Sequence, residues 1–123
     1  DVDTTVQLID AYTRLNKVEQ AEALIPPDLS PADAATLQFN IAVNYVRTKR
    51  WAEAEEHFKR VMELNPQLPV THKYLGEVYL NMDKHAEALK ELEAYVAAAP
   101  DAPDAAETKE VIEALRKMAK HKK

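Results

Sequence analysis

Four imidazoles, His57, His72, His85 and His121, are the residues of this chain best suited to hold a metal or shuttle a proton. A helical metal site wants two of them three or four residues apart on one face, and no pair stands at that spacing. His72 and His85 read instead as half-buried structural histidines. Two runs of acids, Glu53, Glu55, Glu56 and Glu63, then Glu87, Glu91 and Glu93, are dense enough to offer a carboxylate pair for acid–base work. Their helical spacing places them on outward faces, where solvation explains them. Cysteine is absent, which removes disulfides, thiolate nucleophiles and thiolate metal sites together. Ser30 is the only serine and Gly76 the only glycine, so neither a serine nucleophile set nor a glycine-rich phosphate loop can be built. The chain therefore reads as no enzyme, with no metal and no cofactor.

What the chain does contain is repetition. Trp51 to Pro66, WAEAEEHFKRVMELNP, returns in degenerate form as HAEALKELEAYVAAAP, ending at Pro100. In this register Trp51 aligns with His85, Ala52 with Ala86, Glu53 with Glu87, Ala54 with Ala88, Phe58 with Leu92 and Pro66 with Pro100. Upstream, Gln38-x-x-Ile41-Ala42-x-x-Tyr45 aligns with His72-x-x-Leu75-Gly76-x-x-Tyr79 at the same offset. Small residues at 42, 54, 76 and 88 let two helices approach closely while Tyr45, Phe58 and Tyr79 fill the space beside them. Proline then ends each second helix, because it lacks an N–H and disfavours helical geometry in the residue before it.

These positions resemble the tetratricopeptide repeat (TPR), whose signature is W-x2-L-G-x2-Y, A-x3-F and a final P over about 34 residues. The leading Trp is replaced by Gln38 and His72. The resemblance implies an all-α, TPR-like superhelix of three antiparallel hairpins plus a C-terminal capping helix, forming one domain over 1–123. Its parts are a degenerate repeat (1–29), two repeats (30–68 and 69–100) and the capping helix (101–123). In the first repeat Leu8, Ile9 and Tyr12 take the places of Ile41, Ala42 and Tyr45, and Pro26-Pro27 cuts its second helix short. Ser30-Pro31 opens the next helix as a cap followed by proline, and Asp104-x-x-Glu107 approximates a capping box for the last. Val111, Ile112, Leu115 and Met118 give that last helix one apolar side.

The net charge is −5, and residues 1–35 carry all of it, with seven acids against Arg14 and Lys17. The basic end, Arg116, Lys117, Lys120, Lys122 and Lys123, is a small cluster that reads as a solvated tail. No basic footprint for nucleic acid exists. No apolar run is long enough for a membrane span, so the chain reads as soluble, cytoplasmic or periplasmic, with the compartment unknown. A start at Asp1 without Met reads as a processed chain or excised domain.

On a helical wheel Leu37, Ile41, Tyr45 and Thr48 cluster on one side, with Phe39, Asn40, Val43 and Arg47 roughly opposite. The equivalent face holds Lys73, Tyr74, Glu77 and Asn81 one repeat later, and Gln7, Asp10 and Arg14 one repeat earlier. The TPR resemblance implies that such first helices line a concave groove taking an extended peptide or partner helix. The candidate partner-binding residues are thus Gln7, Asp10, Phe39, Asn40, Val43, Arg47, Lys73, Tyr74, Glu77 and Asn81. Packing between repeats is the competing explanation for Phe39, Val43, Val46 and Leu80. The carboxylate clamp by which some TPR proteins hold acidic chaperone tails is matched only at Asn40, with Val6, Asp10, Val70 and Tyr74 in the other places. Two function classes remain: a non-catalytic scaffold for an unidentified protein or peptide, and a structural or self-associating domain. The second would contact its own copies or a missing part of the chain.

Overall fold

The computed structural model describes residues 2–121. Asp1, Lys122 and Lys123, and the side chains of Val2 and Asp3, lie outside the described residues. Among those described there are seven helices: α1 (Val2–Arg14), α2 (Val18–Ala23), α3 (Pro31–Arg47), α4 (Trp51–Leu64), α5 (Pro69–Asn81), α6 (His85–Ala98) and α7 (Ala105–His121). The fold is all-α, as the repeat resemblance implies. Backbone contacts divide the chain into two compact units, 1–67 and 68–123.

Helix boundaries follow the local chemistry. Ser30 caps α3 by accepting a hydrogen bond from the Asp33 N–H at 3.2 Å, and Pro31 occupies the first turn, where no N–H is needed. α4 and α6 end just before Pro66 and Pro100. The turns inside the three hairpins share one construction. Asn16, Lys49 and Asp83 adopt left-handed backbone with φ of 61°, 61° and 59°. The next N–H in each turn reaches five residues back: Lys17 to Tyr12 O, Arg50 to Tyr45 O and Lys84 to Tyr79 O, at 2.8, 2.8 and 2.9 Å. This pattern satisfies carbonyls that a helix end leaves open. Arg50 and Lys84 then lie over the rings of Tyr45 and Tyr79, at 4.8 and 5.9 Å from the centroids.

In the first unit, α3 and α4 pack through Ile41, Ala42, Ala54, Phe58 and Val61, all fully buried. Ile9, Ala21 and Leu37 form a buried cluster joining α1, α2 and α3, with Val6, Tyr12, Leu24, Ile25 and Leu29 against it. The larger Ile9 is thus accommodated at 0% exposure. Leu8 departs from the register expectation: it is 46% exposed, whereas Ile41, its counterpart one repeat later, is fully buried.

In the second unit, α5 lies against α6 and α6 against α7. Gly76 lets α5 and α6 approach closely, since an added Cβ would stand 2.6 Å from Leu92 Cδ2 and 2.8 Å from its Cγ. α7 buries Ala105, Thr108, Ile112 and Leu115. Polar links to α6 hold it as well. The Asp104 carboxylate accepts from Tyr95 Oη at 2.6 Å, and Arg116 reaches Glu93 on α6 at 2.6 Å. Arg116 is therefore a tie between helices, where the sequence suggested a solvated tail. Glu91 likewise leaves the solvated face assigned to it, meeting His72 Nδ1 at 2.8 Å.

Candidate functional site

The first helices of the hairpins carry the predicted partner-binding residues, and each unit gathers part of the set into a cleft. In the first unit a cleft of about 280 Å³ lies between α1 and α3. Asp10, Thr13 and Arg14 line it from α1, and Asn40, Val43 and Arg47 from α3. Thr13 is buried and donates its hydroxyl to Ile9 O, leaving the polar rim to Asp10, Asn40 and the two guanidinium groups. Arg47 is positioned by Asn44, whose Oδ1 accepts from Nη2 at 3.2 Å. Asn44, itself only 4% exposed, uses its amide N–H on Asn16 Oδ1, which ties the first hairpin's turn to α3. Two cations against one carboxylate leave this cleft locally positive inside an acidic segment.

Phe39 and Gln7 stand outside that cleft. Phe39 is half-buried and meets Phe58 edge-on, with centroids 5.6 Å apart, so it contributes to the α3–α4 core. Gln7 is exposed on α1.

In the second unit a cleft of about 260 Å³ is lined by Lys73, Glu77 and Leu80 of α5, Leu92 of α6, and Asp104, Glu107, Thr108 and Val111 at the start of α7. Lys73 Nζ lies 2.6 Å from Asp104 Oδ2. That bond, with Tyr95's, holds the Asp104 carboxyl below the usual carboxylate range, and the same contact raises the Lys73 ammonium. Glu77 moves the other way: burial raises its carboxyl and Lys73 offsets only part of that. Tyr74 is half-buried, and Asn81 is exposed with its amide on Glu77 O at 2.8 Å; neither lines the cleft.

Of the polar residues that position these sites, Asn44 was not singled out by the sequence, and Asp104 was read only as part of a helix start. Asn44 gave one signal, an amide within the otherwise apolar side of a helix wheel. Asp104 gave another, as an acid at a helix start. Among the described residues no group of three or more His, Cys, Asp or Glu is placed to hold a metal ion, and no helix is long and apolar enough to cross a membrane.

No curated protein matches this chain. A solved structure described as the MamA protein is similar in fold, with a TM-score of 0.71 and 19% sequence identity. The match covers 98% of this chain and 70% of that one. A family profile described as the tetratricopeptide repeat matches residues 45–112, more than half of the chain. The chain therefore belongs to the tetratricopeptide repeat family, which implies a protein–protein interaction scaffold.

Proposed function

We propose that this chain binds an extended segment or helix of a partner protein through the clefts on its first helices, without catalysing a reaction. One observation carries this reading: Asp10, Asn40, Val43 and Arg47, chosen as one face from their spacing, line a single cleft together with Arg14. An array of N–H donors beside an apolar Val43 wall suits peptide carbonyls and acidic side chains. The second cleft, with Glu77, Asp104 and Glu107 against Lys73, suits N–H donors and basic side chains. The test is fluorescence polarisation with peptides selected on an array. Arg47→Ala and Asn40→Ala should each weaken binding by about tenfold while helicity and melting stay unchanged. Equal affinity in both folded variants would refute the cleft as the binding site.

A second reading rests on a different observation. Leu8 on α1, Leu15 in the turn directly after it, and Val111 and Met118 on α7 are 46%, 65%, 38% and 44% exposed. Thr4, Leu8, Ala11 and Leu15 recur at helical spacing, as do Val111, Ala114 and Met118, so each end helix shows a largely apolar stripe. On this reading the array packs against its own copies or against another part of a longer polypeptide.

A further inference from the structure

We infer that the exposed apolar faces of the first and last helices pair with each other between copies of this chain. α1 of one copy lies antiparallel on α7 of a second, with Leu8 against Met118 and Leu15 against Val111. The inference rests on the self-association reading above and gives it a partner face, a direction and a register.

Spacing supplies the register. α1 packs on α2 and α3, and α7 packs on α6, which leaves Leu8, Ala11 and Leu15 exposed on the one side and Val111, Ala114 and Met118 on the other. Leu15 directly follows α1, and its N–H still reaches Ala11 O at 3.1 Å, so it continues the helical stripe. Leu8 to Leu15 and Val111 to Met118 are both steps of seven residues, about 10.5 Å along a helix axis. Two large side chains on one helix therefore meet two on the other at once, and the alanine between each pair lets the backbones approach. Beside Met118 a cleft of about 210 Å³ between α6 and α7, walled by Ala86, Leu89, Leu115 and Ala119, leaves room for the Leu8 side chain.

Charge selects the partner. Three pairings would bury these stripes: α1 on α1, α7 on α7, and α1 on α7. Residues 1–35 carry a net −5, whereas 105–123 carry Lys109, Arg116, Lys117, Lys120, Lys122 and Lys123 against Glu107, Glu110 and Glu113, a net +3. Only the mixed pairing brings opposite net charges together.

Charge also selects the direction. In a parallel arrangement, with Leu8 at Val111 and Leu15 at Met118, Asp10 stands level with Glu113, Arg14 with Lys117 and Lys17 with Lys120. Like charges then meet along the whole seam. Turned round, Asp10 comes level with Arg116, Arg14 falls between Glu110 and Glu113, and the start of α1 runs along the basic end of α7. The contact is heterologous, since each copy offers both faces, so association continues past a pair unless the assembly closes into a ring.

The absence of cysteine from the chain gives a direct test. Leu8→Cys, Leu15→Cys, Val111→Cys and Met118→Cys are made singly, at exposed positions where the core is untouched. Each chain then carries one thiol, so every disulfide joins two chains. The variants are mixed in pairs in a glutathione redox buffer, at a concentration where light scattering puts the unmodified chain above monomer mass, and intact masses identify the joined chains. Leu8→Cys with Met118→Cys, and Leu15→Cys with Val111→Cys, should give several-fold more disulfide dimer than the crossed mixtures or any variant alone. Added salt should shrink that excess, and an excess indifferent to salt overturns the selection by charge. An excess in the crossed mixtures overturns the antiparallel direction. Equal yields throughout, or an excess within single variants, overturn the contact of α1 with α7 while self-association stands. A mass that stays monomeric at every concentration overturns this inference and the self-association reading together.

Discussion

Lys49 sits in left-handed backbone at φ 61°, a conformation that costs a residue with a Cβ about 1–2 kcal/mol. Asn16 and Asp83 adopt it at the same place in the other hairpins with less penalty, because short polar side chains bond locally to the backbone. Lys49 is exposed, so nothing in its packing offsets the difference. Lys49→Gly should raise stability by about 1 kcal/mol, less whatever the more flexible unfolded chain takes back. Urea denaturation of the variant measures it, and an unchanged or lower midpoint would show that the turn is not strained.

At the scale of elements, α7 is held partly by apolar burial and partly by Asp104. The Asp104 carboxyl is depressed by Lys73 first and Tyr95 second. A depressed carboxyl contributes stability that is present above its unfolded value and is lost as pH falls through the folded one. The contribution therefore disappears on the acid side, below about pH 4. Asp104→Asn should be less stable than the unmodified chain near neutrality, with the gap closing on acidification; a gap that stays constant with pH would exclude the ion pair as its source. Much of this element architecture was legible in the sequence. Ser30-Pro31 marked a helix start, Pro66 and Pro100 marked stops, and the aligned small residues marked close packing. The polar ties were not legible. Periodicity identifies an apolar stripe, but not which polar residue at its edge meets a partner 35 residues away, as His57 meets Glu22, or 23 away, as Arg116 meets Glu93. Phe39 shows a related limit: a wheel assigns an angle, and a long aromatic side chain reaches beyond its sector to Phe58.

At the scale of the whole molecule, the question is whether the apolar stripes on α1 and α7 find partners among copies of the chain. Burial of a few such side chains gives weak, concentration-dependent association unless the interface is large. Under the self-association reading, light scattering should show mass rising with concentration, and Leu15→Lys should return the chain to a monomer. Leu15 is 65% exposed, so the substitution leaves the core intact. A mass that stays monomeric throughout the series would remove copies of this chain as the partner and leave the peptide-binding reading in place.

The left-handed turn has one more consequence, in the language of codons. Asn, Lys and Asp, the three residues found there, are linked through Asn by single base changes: Asn to Lys at the third base, Asn to Asp at the first. Copies of the hairpin can therefore diverge at this position by point mutation without losing the turn. Glycine is one base from Asp but two from Asn and from Lys, so the full relief that glycine offers the Lys49 turn takes two mutational steps, while the partial relief of Asn takes one. That fits a chain held above a stability threshold and short of its optimum.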